Sequence, residues 1–222
     1  TIQSIRMAWE RNCMDNTFLE NAEADAQKQL YYMSDTIEDF RNFFSLEKVV
    51  ETFDVLEKIN DVILLVSSQF SHSSVSLKLV DQDCGHPAKV SGYPNEFKQA
   101  LLNLISNAFD AIIDNASRGT TPDGEKGPTG LIVITVSGIS GNVVIEVQDN
   151  GCGIPEQYRD KIFEPYFTSK SEGKGTGIGL YMSKLIIEES MGGRLSFTSG
   201  PDGTVFKIVL ARGDSDEEDG NR

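Results

Sequence analysis

The sequence predicts an α+β domain, a two-layer sandwich with one mixed sheet packed on helices, preceded by an antiparallel helical hairpin. Three observations predict it. Residues 19–44 carry apolar side chains at spacings of seven, four and three. Residues 131–147 and 194–210 hold β-branched runs separated by glycine-rich turns. Strands outnumber helices over the second half of the chain. At 222 residues the chain is long enough to bury a core. No apolar run approaches the ~20 residues that span a bilayer.

In the first segment, Leu19, Ala26, Leu30, Met33, Ile37, Phe40 and Phe44 form one seam, and Ile2, Ile5 and Trp9 an earlier stripe. Polar Asn12–Thr17 turns between them. Two antiparallel helices over residues 1–46 follow. They have too little core alone and are expected to form a homodimer through a four-helix bundle; a helical extension packed on the main domain is the alternative. Next, Phe53–Val55 reads as a short strand, and Val55–Phe70 as an amphipathic helix through Leu56, Ile59, Ile63 and Val66. Ser74–Val80 alternates as a strand does. Tyr93-Pro94-Asn95-Glu96 puts Pro and an acid in the first turn of a helix reaching about Asn115. Ser117–Gly130, rich in Gly, Pro and Thr, is a loop. Leu131–Val136 and Val143–Val147 form a hairpin around Gly138–Asn142. Ile178–Met191 is a helix closed by Gly192-Gly193. Arg194–Thr198 and Thr204–Leu210 flank the turn Gly200–Gly203. Residues 50–212 therefore form the main domain. Residues 213–222 hold five acids in ten positions and read as a disordered tail.

Three segments carry chemistry. Asn103 and Asn107 lie at i and i+4 on one helical face, although Asn is a poor helix former. An Asn carbonyl suits Mg²⁺ arriving with phosphates; a plain polar face is the alternative. Asp149 ends a strand and is followed by Gly151-Cys152-Gly153. This allows close backbone approach to a flat ligand, with the carboxylate accepting from an exocyclic amine; a simple turn is the alternative. Gly173-Lys174-Gly175-Thr176-Gly177-Ile178-Gly179-Leu180 sets four glycines at alternate positions before a helix. Such a segment turns N–H groups and a helix N-terminus toward an anion. It is neither a Walker loop nor the dinucleotide fingerprint, because no strand precedes it and no Lys-Ser/Thr follows its last glycine.

Together, in this order, these segments resemble the N, G1, F and G2 boxes of sensor histidine kinases. That family shares an ATPase superfamily with gyrase, the ninety-kilodalton chaperone and MutL. Residues 95–112 match the N box and 149–153 match G1. Ile162-Phe163-Glu164-Pro165-Tyr166-Phe167 matches the F box, and residues 173–180 match G2. Met191–Leu195 and Gly203–Phe206 resemble the family's C-terminal strands. Met33–Phe44 resembles the second helix of its dimerisation and phosphotransfer hairpin.

The resemblance implies a set of roles. ATP and Mg²⁺ would be the cofactors. Asn107, with Asn103, would hold the Mg²⁺. Asp149 would read the adenine amine, with Gly151 and Gly153 letting the base approach. Phe163 and Phe167 would anchor a lid. Gly175, Thr176, Gly177, Gly179 and Leu180 would lie along the phosphates, and Lys170 and Lys174 would reach them. The γ-phosphoryl would pass to a histidine on the hairpin and then to an aspartate of a response-regulator receiver domain. The superfamily's hydrolysing members carry a Glu where this chain has Asn103, which cannot act as a general base. Transfer is therefore favoured over hydrolysis. Alternatives are a Ser kinase of the same superfamily and a nucleotide-gated dimer module without catalysis.

The chain departs from the family pattern at two points. Asp110 stands where many members have a basic residue. No H box is present, since His72 and His86 both lie in turns. The acceptor histidine is expected upstream of Thr1, in a longer and cytoplasmic or membrane-anchored protein. Cys13, Cys84 and Cys152 have no metal spacing, and reduced thiols are expected. A redox switch at Cys152 is disfavoured, because no neighbour in sequence stabilises its thiolate. The net charge of −14, from 20 basic and 34 acidic residues, disfavours nucleic acid as a partner. It does not disfavour a nucleotide held by backbone amides, a helix end and Mg²⁺.

Overall fold

The computed structural model describes residues 49–70, 73–82, 88–118, 130–170 and 175–213. The predicted hairpin, both histidines, Gly173, Lys174 and the acidic tail lie outside these residues. The chain runs β1 (Glu51–Asp54), α1 (Val55–Phe70), β2 (Val75–Asp81), β3 (Lys89–Gly92), α2 (Pro94–Arg118), β4 (Gly130–Ile139) and β5 (Asn142–Asp149). A short 3₁₀ turn, Glu156–Tyr158, precedes α3 (Gly179–Leu185), which widens into a π turn over Ile186–Ser190. Strands β6 (Arg194–Gly200) and β7 (Gly203–Ala211) follow. Five strands form one sheet in the order β2-β4-β5-β7-β6. β2 is parallel to β4, because α2 carries the chain back between them, and all other pairs are antiparallel. The mixed sheet predicted from sequence is therefore present. No helix among the described residues is long and apolar enough to cross a membrane.

Alternation fixes which sheet face is buried. Ile132, Ile134 and Val136 of β4 pair with Asp149, Val147 and Ile145 of β5, and all six are buried. Phe206, Ile208 and Leu210 of β7 continue that face. Against it α2 sets Phe97, Leu101, Leu104, Ile105 and Ile112, one stripe at helical spacing. Asp54 caps α1, its Oδ1 accepting from Leu56 N–H at 2.8 Å and Glu57 N–H at 3.3 Å. Such a cap contributes about 1 kcal/mol. The buried stripe of α1 is Val55, Ile59, Val62, Val66 and Phe70. It keeps the predicted Ile59 and Val66 but has Val55 and Val62 in place of Leu56 and Ile63, which are only half-buried.

Three further local features depart from the sequence reading. The β4–β5 connection is a two-residue turn, Ser140 (φ 50°) and Gly141 (φ 77°), rather than a five-residue loop. Both positive φ values mark the hairpin turn whose twist matches the strands. The strand at residue 53 begins and ends earlier than expected and pairs with β3, forming a separate two-stranded ribbon. The last helix changes to π geometry at Ile186. It stops where Gly192 adopts φ 62° and Gly193 N–H reaches Ile187 O at 2.8 Å, as its glycine pair predicted. Residues 47–164 and 179–213 belong to one compact unit, and Pro165–Ile178 falls outside it.

Candidate functional site

Asn103, Asn107 and Ala111 share one face of α2, each one turn from the next, or about 6 Å along the axis. At one end of this stripe, Asn103 Nδ2 donates to Gly179 O at 3.3 Å and lies 3.5 Å from Ser183 Oγ. Ser183 is fully buried and donates in turn to Gly179 O at 2.9 Å. The asparagine therefore locks the first turn of α3 onto α2. At the other end, Ala111 O accepts from Cys152 N–H at 3.3 Å. A Cβ on Gly151 would lie 2.7 Å from Ala111 Cβ. Half-buried Asn107 stands between these contacts, between the start of α3 and the loop after β5.

That loop begins at Asp149, which is only 4 % exposed. Its Oδ1 accepts from Gly151 N–H at 2.8 Å and from Thr204 N–H at 3.3 Å. Burial raises the carboxyl above its ordinary 3.8, and the two backbone donors oppose that rise. Both donors fall on Oδ1, which leaves Oδ2 to meet a ligand's donor. Close approach by glycine here serves chain against chain. Gly151 packs on α2, and Gly153, at φ 67°, packs on the Gly200 carbonyl with no space for a Cβ. Gly203 lies as tightly against the Asp149 carbonyl.

Phe163 stacks edge-on to Phe197 of β6, with centroids 5.9 Å apart. Lys184 Nζ of α3 lies 5.0 Å over its ring. The predicted anchor thus joins the chain leaving the 3₁₀ turn to both α3 and the sheet. Within Pro165–Ile178, two arms run side by side. A Cβ on Gly177 (φ 67°) would lie 2.7 Å from Phe167 O, and one on Gly175 would lie 3.2 Å from Lys170 Cδ. The Lys170 stem is therefore against the glycine segment. Thr168 Oγ1 accepts from Lys170 N–H at 3.2 Å, and Thr176 Oγ1 from Ile178 N–H at 3.3 Å. Phe167 is half-buried, as is Leu180 in the first turn of α3.

The structure thus groups Asn103, Asn107, Asp149, Gly151, Gly179 and Leu180 along the central turns of α2, with Gly153 on the adjoining loop. Lys170, Gly175, Thr176 and Gly177 stand together in the other unit. Sequence reasoning gave no role to Thr204 or Ser183. A Gly-Thr pair at a strand start was visible for the first. A serine four residues after the last G2 glycine was the only sign of the second. Among the described residues no cluster of three or more His, Cys, Asp or Glu could hold a metal by itself. The neutral amide oxygens of Asn103 and Asn107 suit an ion that arrives with phosphates.

Residues 92–214 match the family of histidine kinase-, DNA gyrase B- and HSP90-like ATPases. The two-component sensor PprA of Pseudomonas aeruginosa is 34 % identical over 137 residues, which is 59 % of this chain and 14 % of that protein. The chain thus spans about one seventh of that relative. The catalytic domain of histidine kinase ThkA superposes with a TM-score of 0.61 at 27 % identity, covering 74 % of this chain and 98 % of that one. The structure of ThkA in complex with response regulator TrrA aligns with a TM-score of 0.65 at 22 % identity, covering 96 % of this chain and 57 % of that one, and shows a shared fold.

Proposed function

The chain belongs to the histidine kinase-, DNA gyrase B- and HSP90-like ATPase family and carries the catalytic domain of a sensor histidine kinase; from that premise we propose that it binds ATP and donates the γ-phosphoryl to a histidine of a dimerisation hairpin. The observation that carries this reading is the stripe Asn103–Asn107–Ala111, whose ends touch α3 and the Asp149 loop. Asp149 Oδ2 accepts the adenine amine. Asn107 offers its side-chain oxygen toward the metal-bound phosphates. Mg²⁺, when bound, neutralises charge on the phosphates. The first amides of α3 face phosphate oxygens. Gly175, Gly177 and Lys170 keep the phosphate-contacting role that the family resemblance gives them. Lys174 has the same proposed role. Asn103 holds α3 in register and has no basic group with which to activate water, so these residues favour transfer over hydrolysis. In transfer, the P–O bond to ADP breaks and a P–N bond to imidazole forms.

Homodimerisation through residues 1–46 and onward transfer to a response-regulator aspartate belong to the same proposal. The complex of ThkA with response regulator TrrA supports the second partner. The test is labelled ATP with a chain extended upstream of Thr1 to include a hairpin histidine. A phosphoprotein stable in base and labile in acid is expected. An acid-stable one would indicate Ser phosphorylation, and stoichiometric binding without label would indicate a module without catalysis. Either result overturns histidine transfer.

A further inference from the structure

Resting on the nucleotide site above, we propose that Arg159 is a positioning residue that fixes the wall of the base pocket and so sharpens the preference for adenine over guanine. Arg159 ends the 3₁₀ turn after Pro155, its own N–H held by Glu156 O at 3.2 Å. Its half-buried guanidinium has no carboxylate partner among the described residues. It is directed to two main-chain carbonyls instead. Nε donates to Ile154 O at 3.3 Å, and Nη2 donates to Ser199 O at 2.8 Å. Ile154 closes the clamp from the other side, its N–H donating to Ser199 Oγ at 2.7 Å. Both backbone polar groups of Ile154 are thus tied to one arginine and one serine. A planar fork with several donors suits this task, and a lysine's single ammonium does not.

The clamp leads on to the base-reading carboxylate. Ser199 Oγ lies 2.9 Å from Thr204 Oγ1, and it is 3.3 Å from Gly203 O. Thr204 N–H donates to Asp149 Oδ1. Between these bonds the Gly153 backbone lies directly on the Gly200 carbonyl. The loop at residues 151–155 and the β6–β7 turn therefore form one body while Arg159 bridges them. An acceptor at Asp149 favours an amine on the base and repels a carbonyl, as long as the base is held at a fixed distance. Slackening the loop lets the base shift, and this costs the well-matched base more than the mismatched one.

The 222-residue chain is titrated with ATP and, by competition, with GTP. For Arg159→Met, ATP affinity is expected to fall about tenfold and GTP affinity by less than twofold, so the discrimination ratio contracts. Arg159→Lys keeps one donor and should recover part of the ratio. A purely structural arginine would lower both affinities alike, or lower only the unfolding midpoint without nucleotide. A ratio within twofold of wild type in Arg159→Met overturns the assignment while leaving the nucleotide site intact. Wild type that binds neither nucleotide overturns the site and the assignment together.

Discussion

Asp149→Asn separates binding from stability at one buried atom. The amide is isosteric, and its Oδ1 can still accept from Gly151 and Thr204, at 2.8 and 3.3 Å in the wild type. The second position changes from an acceptor to an NH₂ donor. Against adenine, a charge-assisted hydrogen bond is lost and two donors are left facing each other. Each effect is worth about 1.5–3 kcal/mol, so a loss of about 3 kcal/mol or more is expected, roughly 150-fold in the ATP dissociation constant. Stability moves the other way. Burial raises this carboxyl above 3.8, so the ionised form is disfavoured in the fold. Its contribution is fully present below the unfolded pKa and is lost as pH rises through the folded pKa. Asn has no such loss. The stability of the Asn variant relative to wild type should therefore rise across that interval and level off above it. The assay is calorimetric ATP titration at neutral pH, paired with urea unfolding of nucleotide-free protein from pH 4 to 8. A variant that binds ATP within threefold of wild type would refute the base-reading role. One that loses several kcal/mol without nucleotide would show that the carboxylate is structural.

Other substitutions probe the supports of the same site. Asn103→Asp replaces the donor to Gly179 O with a charged acceptor. It should cost about 2 kcal/mol, lowering the melting midpoint by roughly 4–8 °C; an unchanged midpoint would deny that this amide locks α3. Gly203→Ala adds a Cβ against the Asp149 carbonyl at a φ of 129°, where side chains are strained. A loss of at least about 2 kcal/mol is expected by urea unfolding, and a loss under 0.5 kcal/mol would mean the turn shifts freely. Lys207→Ala removes a half-exposed, solvent-screened ion pair to Glu146, 2.9 Å long, and should change stability by less than about 0.5 kcal/mol. A larger loss would show that this pair anchors β5 to β7.

Long periodic elements were legible in the sequence. α2 declares itself through Pro94, Glu96 and an apolar stripe that runs to Ile112. The β6–β7 turn and the Gly192 stop follow from residue types that permit few alternatives. The ribbon of β1 and β3 was hidden, because four residues carry too little alternation and the partners lie about 40 positions apart. The tight β4–β5 turn was hidden because Ser140 takes a positive φ usually given to Asn, Asp or Gly. On α1, Ile63 and Val62 are both apolar, so composition could not decide which one faces inward. At the site, the residues with box spacing could be named, but not the reason for each. Asn103 contacts a helix, and the Gly151 and Gly153 backbones contact the fold itself. Arg159 and Ser199 act through main-chain atoms 40 residues apart, a relation without a local sequence signature.

If Asn107 and Asp149 form a site for ATP, calorimetric titration of the 222-residue chain with ATP, with and without Mg²⁺, will show it. One site per chain is predicted, with tighter binding in Mg²⁺ than in chelator and loss of that Mg²⁺ effect in Asn107→Ala. Heat without saturation, or binding that Asn107→Ala and Asp149→Asn both leave unchanged, would contradict it.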